Sequence, residues 1–360
     1  MSTNNTGLMN ETNAQKASGP SSIRNISSRE LVREIRIGWN LGNTLDATDG
    51  YGLSSETSWG NPKTNKAMID KIKAGGFNTL RVPTTWEKHL GPAPNYTIDS
   101  AWLNRVVEVV DYGIQNNMFV ILNLHHEEWH FPSYANEAAA TRILTKVWAQ
   151  IAERFKNYDE HLIFEGLNEP RQKGTADEWN GGNREGQDVV NRFNAAFIRT
   201  IRSSGGNNPF RHLMIPPYAA TSATNAWDNF VIPNDNKIII SIHAPYDFAL
   251  NISGTPQWRP DNQADIGAIT YLMDSINRYF ISKGYPVIIG EFGAMNKNNL
   301  KQRADWAYYY VKSAKAKGIP CIWWDNGAVS GDGELFGLLD RNNRSFYYPD
   351  IVNAMMKGIQ

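Results

Sequence analysis

Two glutamates sit in settings that suit paired carboxylate chemistry. Glu169 lies in Leu167-Asn168-Glu169-Pro170, and Glu291 in Ile289-Gly290-Glu291-Phe292-Gly293. Each follows a short aliphatic run, where partial burial raises the cost of ionising a carboxyl. Opposed across a cleft, such a pair meets the needs of glycoside hydrolysis. One carboxyl protonates the leaving oxygen, and the other attacks or activates water. A plainer reading has each glutamate capping a helix or pairing with an arginine. Other aliphatic runs also end on polar or aromatic residues: Asn40, Arg81, His125 with His126, Asn168, Tyr218, His243, and Trp324 with Asp325.

Residues so far apart in the chain need a scaffold that gathers them. Apolar runs at Arg36–Trp39, Thr79–Val82, Phe119–Leu124, Leu162–Leu167, His212–Pro216, Ile238–Ile242, Val287–Ile289 and Cys321–Trp324 read as strands. They are continuous rather than alternating, as when both faces of a parallel sheet are covered. Between them, Ile143, Leu144, Val147, Trp148, Ile151 and Phe155 have helical spacing, as do Trp102, Leu103, Val106, Val107, Val110 and Ile114. Repeated strand–helix units predict an α/β fold, a single-domain (β/α)8 TIM barrel over residues 29–360. An open doubly wound sheet is the alternative, although no glycine-rich dinucleotide fingerprint follows any strand. In a barrel the active site lies at the C-terminal strand ends, so the polar residues above would converge there.

Composition narrows the chemistry. The 360 residues carry 36 Lys+Arg and 36 Asp+Glu, without the basic excess of a nucleic-acid footprint. No run approaches the ~18 apolar residues of a membrane span. The single cysteine, Cys321, excludes an intrachain disulfide framework. His126-Glu127-Glu128-Trp129-His130 matches the H-E-x-x-H zinc pattern, but that pattern works on a helix. Here it follows a strand and precedes Pro132, so a loop is expected and no metal or other cofactor is assigned. Residues 1–28 are polar and lack an apolar signal core. They read as a disordered leader or linker remnant, with order starting at a capping box formed by Ser27 and Glu30.

Six motifs follow in order along the chain: Gly38-Trp39-Asn40-Leu41-Gly42-Asn43-Thr44-Leu45-Asp46, Leu80-Arg81-Val82-Pro83, Asn123-Leu124-His125-His126, Leu167-Asn168-Glu169-Pro170, Ile288-Ile289-Gly290-Glu291-Phe292-Gly293 and Trp323-Trp324-Asp325-Asn326-Gly327. Together they resemble glycoside hydrolase family five, the cellulase family of retaining endoglucanases, and within it subfamily four. The resemblance implies an endo-β-1,4-glucanase with Glu169 as acid/base and Glu291 as nucleophile. The acid would then have a raised pKa and the nucleophile would be ionised beside Arg81. The resemblance also implies substrate contacts from Asn40, Arg81, His125, His126, Asn168, His243 and Trp324. Asn168 doubles as an ordinary turn residue before proline. Trp323 should face away from Trp324, because strand side chains alternate. After His243 the family's tyrosine is displaced to Tyr246, which is kept as a site residue.

Loop tryptophans at 59, 86, 129, 179, 227 and 258 offer stacking faces or loop packing. Two or three are expected to line the cleft, with Trp179 and Trp258 chosen because long segments follow the fourth and sixth strands. The implied protein is secreted, binds β-glucan and no nucleic acid or membrane, and acts as a monomer or as a module of a larger enzyme. Xyloglucan, mixed-linkage glucan, xylan and mannan remain alternative substrates. A decayed barrel that only binds carbohydrate is the rival of another class.

Overall fold

The computed structural model describes residues 22–244, 249 and 254–360. Eight parallel strands close a barrel in sequence order. They are β1 (Ile37–Leu41), β2 (Thr79–Val82), β3 (Phe119–Asn123), β4 (Leu162–Glu165), β5 (Leu213–Ile215), β6 (Ile238–His243), β7 (Val287–Phe292) and β8 (Cys321–Asp325). Around it run α1 (Ser28–Val32), α2 (Lys66–Ala74), α3 (Ser100–Ile114), α4 (Tyr134–Arg154), α5 (Arg184–Arg202), α6 (Thr224–Trp227), α7 (Gln263–Tyr279), α8 (Leu300–Ala316) and α9 (Pro349–Gly358). The expected (β/α)8 barrel is therefore present, and each strand candidate overlaps a strand. Among the described residues, no helix is long and apolar enough to cross a membrane.

Side-chain alternation divides the strands between two environments. Trp39, Leu80, Val120, Leu122, Phe164, Leu213, Ile240, Ile289 and Trp323 point outward and pack with the helices in one large core. A second core fills the barrel: Phe119, Ile121, Ile163, Met214, Ile239, Ile288 and Ile322. Helix α1 closes this core with Leu31 and Val32, joined by Ile35 just beyond it. Full burial of a side chain such as Leu31 contributes roughly 1.5–3 kcal/mol, so the short helix is held by packing rather than by its length. Its capping box of Ser27 and Glu30 is formed as expected. Ordered contacts begin further upstream, however, since Arg24 pairs with Glu34 and Glu160.

Further along each strand the inward positions turn polar. Asn40, Arg81, Asn123, Glu165, Ser241 and His243 are all buried there. The barrel is thus apolar near its α1 end and polar towards the C-terminal strand ends. One irregularity adjusts the alternation. Ile242 pairs with Ile289 but His243 pairs with Glu291, which leaves Gly290 as an extra residue in β7. This bulge brings Glu291 round beside His243. Gly290 suits the spot because a Cβ there would lie 3.2 Å from both His243 Nε2 and Ser241 Oγ.

Candidate active site

Arg81 is the hub of the polar end. It is fully buried, and its donors are distributed over five partners. Nε bonds Glu165 Oε2 at 2.8 Å, Nη1 bonds Glu291 Oε1 at 2.6 Å and Asn40 Oδ1 at 2.9 Å, and Nη2 bonds Asn168 Oδ1 at 2.8 Å and reaches His243 Nε2 at 3.5 Å. Burial opposes its charge, yet Glu165 and Glu291 hold the guanidinium above its ordinary pKa. Asn40 also donates Nδ2 to the Gly290 carbonyl at 2.9 Å, which ties β1 to the bulge. Arg81 and Asn40 are therefore enclosed by protein partners. Their assignment as substrate contacts is corrected: they hold the carboxylate and Asn168 from beneath.

His243 stands between the two candidate catalytic carboxylates. Its Nδ1 lies 2.7 Å from Glu169 Oε1 and 3.7 Å from Glu291 Oε2. One oxygen of each glutamate lies within 4.8 Å of the other. Burial works against an imidazolium here, but Glu291 and Glu169 outweigh it and raise the His243 pKa. Burial also pushes Glu169 up, yet the bond to His243 prevails and leaves that carboxyl below its ordinary value. Glu291 is left above, because burial exceeds the opposing effects of His243 and Arg81. These directions reverse the sequence expectation for the pair. The physical reason is His243, whose Nδ1 lies closer to Glu169 than to Glu291 and favours the ionised form of Glu169.

The remaining candidates form the walls. Asn168, with Oδ1 engaged by Arg81, is fixed beside Glu169. His125 is 4 % exposed, and its ring lies parallel to Trp324, with centroids 5.8 Å apart. Burial, reinforced by His126, keeps His125 neutral well below its ordinary pKa. Burial lowers His126 to about 4. Trp324 rests against the end of β1, where a Cβ on Gly42 would lie 2.9 Å from the indole. Trp323 faces the helices and donates Nε1 to Phe336 O, as alternation predicts.

The loop aromatics divide unevenly. Trp179 is 58 % exposed, whereas Trp258 is 3 % exposed and packs on Tyr309. Trp258 belongs to the helix layer, and its assignment to the cleft is corrected. Trp86 and Trp227 are buried as well. Trp59, by contrast, approaches His126 with centroids 5.7 Å apart. Tyr246 lies outside the described residues.

The zinc-like pattern lies on the loop before α4, so His126 and His130 do not share a helix. Its Glu127 is committed to the Trp86 amide at 2.7 Å and to Trp129 Nε1 at 2.9 Å. Among the described residues, Asp46 with His125 and His126, and Glu169 with His243 and Glu291, are grouped closely enough to hold an ion. In the second group, Arg81 already supplies a cation to Glu291.

Sequence reasoning missed Glu165, Asn123 and Ser241. Glu165 is fully buried, accepting from Arg81, from Asn123 at 3.1 Å and from Ser241 at 2.6 Å. The available signal was a charged residue inside an apolar run, at Phe164-Glu165-Gly166.

Comparison with known proteins follows this geometry. The family model described as Cellulase (glycosyl hydrolase family 5) matches residues 46–330. The chain is 51% identical over 341 residues to the cellulase/esterase CelE of Acetivibrio thermocellus, covering 93% of this chain and 41% of that protein. It is 47% identical over 361 residues to endoglucanase B of Clostridium cellulovorans, covering 98% of this chain and 80% of that one. A solved GH5-4 broad-specificity endoglucanase from Ruminococcus champanellensis, with bound cellotriose, superposes with a TM-score of 0.91 at 50% identity, covering 94% of this chain and 100% of that one.

Proposed function

This chain belongs to glycosyl hydrolase family 5, the cellulase family, and on that premise we propose that it is an endo-β-1,4-glucanase that retains anomeric configuration. The observation that carries the retaining reading is the approach of Glu169 and Glu291 oxygens to within 4.8 Å. Retaining pairs sit about 5–5.5 Å apart, whereas inverting pairs leave about 6.5–9.5 Å for a water between them.

Glu291 attacks the anomeric carbon while Glu169 gives a proton to the departing glycosidic oxygen. Water then displaces Glu291, with Glu169 accepting the water's proton. The proton that Glu169 donates is the one it shares with His243 Nδ1 across 2.7 Å. Arg81 sets one cation against the two carboxylates of Glu165 and Glu291. That balance favours the positive charge of an oxocarbenium-like transition state. Asn168, oriented through Oδ1, turns its amide nitrogen to the 2-hydroxyl of the sugar. Trp324, stacked on His125, serves as its floor.

Proton NMR of the first sugar released from a β-glucan should show the β-anomer. Initial α-anomer would rule out Glu291 as nucleophile.

Breadth of substrate is a second part of this reading, supported by the relative of broad specificity. Stacking on exposed indoles tolerates branches better than a pocket that buries each hydroxyl. The expected kcat/KM on xyloglucan lies within about a hundredfold of that on carboxymethyl cellulose. A larger deficit, about 2.7 kcal/mol or more in transition-state binding, would restrict the enzyme to unbranched chains. We take the enzyme to be secreted and to work as a monomer or as one module of a longer protein. The reach of the cellulase/esterase relative well beyond the matched part supports the modular arrangement.

A further inference from the structure

Arg171 has no part in the roles above, yet it touches Glu169, Glu178 and Trp179. Its Nη1 donates to the Glu169 carbonyl at 3.1 Å and lies 3.7 Å from the carboxylate Oε2 of the same residue. Its Nε donates to Glu178 Oε1 at 3.0 Å. Its guanidinium carbon lies 4.1 Å from the centre of the Trp179 ring, within the range of a cation–π contact. The loop bearing these residues is braced independently of Arg171. Gln172 N donates to the Tyr218 hydroxyl at 2.9 Å, and that hydroxyl donates to Asp177 O at 2.9 Å. Gly174 N donates to Glu178 Oε2 at 2.9 Å. A largely buried guanidinium thus joins the Glu169 carboxylate to an indole that is more than half open to solvent.

We propose that Arg171 is a positioning residue that couples the Trp179 stacking surface to the Glu169 carboxylate, so that a glucosyl unit on the leaving-group side and its proton donor are held in register by one side chain. The proposal rests on the assignment of Glu169 as acid/base. Guanidinium geometry matters because the planar fork can stack and donate at once, which an ammonium cannot do. Charge matters because the other groups facing Glu169 are titratable. His243 comes from β6, Glu291 from β7 and His126 from the loop after β3, while Glu334 comes from the loop after β8. Arg81 acts at one remove, on Glu291. Arg171 is the member of this set facing Glu169 that keeps its charge at every working pH. Its cation depresses the proton affinity of Glu169, so its removal lets the acid keep a proton to higher pH.

The test measures kcat/KM against pH for the unsubstituted chain, Arg171→Gln, Arg171→Lys and Trp179→Ala. The substrates are cellopentaose, which places sugar on both sides of the scissile bond, and a nitrophenyl β-cellobioside, which places none on Trp179. Arg171→Gln should shift the alkaline limb on cellopentaose upward by roughly half a unit or more. It should also lose about fivefold to tenfold on cellopentaose, the size of a lost aromatic stack, while changing little on the aryl substrate. Arg171→Lys should keep the limb but share the cellopentaose loss of Trp179→Ala. An unmoved limb in Arg171→Gln, or equal losses on both substrates, would overturn the coupling. If thermal melting shows that Arg171→Gln does not fold, the lysine variant decides, and unsubstituted-like rates on cellopentaose would overturn the proposal. Inactivity of the unsubstituted chain on both substrates would overturn the acid/base assignment and the coupling together, and is a different result from either.

Discussion

Glu291→Ala is expected to lose turnover of polysaccharide and of activated aryl glycosides alike, whereas Glu169→Ala should lose only the first. An alanine at position 291 removes the group that forms the covalent bond, so no leaving group, however good, restores the first step. The loss should exceed the about 10²–10⁴-fold that an acid/base supplies. Glu169→Ala should fall within that range on polysaccharide, equivalent to roughly 3–5 kcal/mol. A nitrophenolate departs without a proton, so this variant should still form the glycosyl-enzyme and then stall for want of a base. Stopped-flow measurement should show a stoichiometric nitrophenol burst from Glu169→Ala and none from Glu291→Ala. Equal bursts from both variants would mean that the roles are misassigned.

The second large effect is on stability. Arg81→Met should destabilise the protein by about 3–5 kcal/mol, because removing one partner leaves a buried charge without compensation. The charge left unpaired is Glu165, which is fully buried and bonded to Arg81 at 2.8 Å. The melting temperature should fall by roughly 5–10 °C. Adding Glu165→Gln to Arg81→Met should recover part of that loss, since a neutral amide suits the vacated site better than a carboxylate. It should recover no activity, because Glu291 still lacks its cation. Thermal unfolding of the two single variants and the double variant measures the coupling. A single Arg81→Met variant that melts with the unsubstituted chain would remove Arg81 as the hub.

Much of the scaffold was legible because burial on both faces leaves an apolar run that is visible without any contact information. Glu169, Glu291, His125 and Trp324 were legible for the converse reason: each interrupts or ends such a run. The same logic separated Trp323 from Trp324 by parity alone. It failed at Glu165, because an apolar run was treated as uniform and its inward positions were not read separately. It failed at Trp258, because an indole beside a long loop serves packing as readily as stacking. Asn40 and Arg81 were recognised as important but were placed against the substrate. Only the distribution of their hydrogen bonds shows them enclosed beneath it. The proton balance of Glu169 and Glu291 was beyond the sequence, since it turns on His243 lying 2.7 Å from one and 3.7 Å from the other.

The extra residue in β7 makes the enzyme's chemistry a matter of chain length as well as of residue type. With one more residue between Ile289 and Glu291, Glu291 would move a position beyond His243, its partner in the present register. A one-residue slip exchanges the two faces of a strand. An insertion is thus a change to which this strand is poorly tolerant, even where no functional side chain is altered. A lineage could lengthen the surrounding loops freely while the stretch from Val287 to Glu291 did not grow.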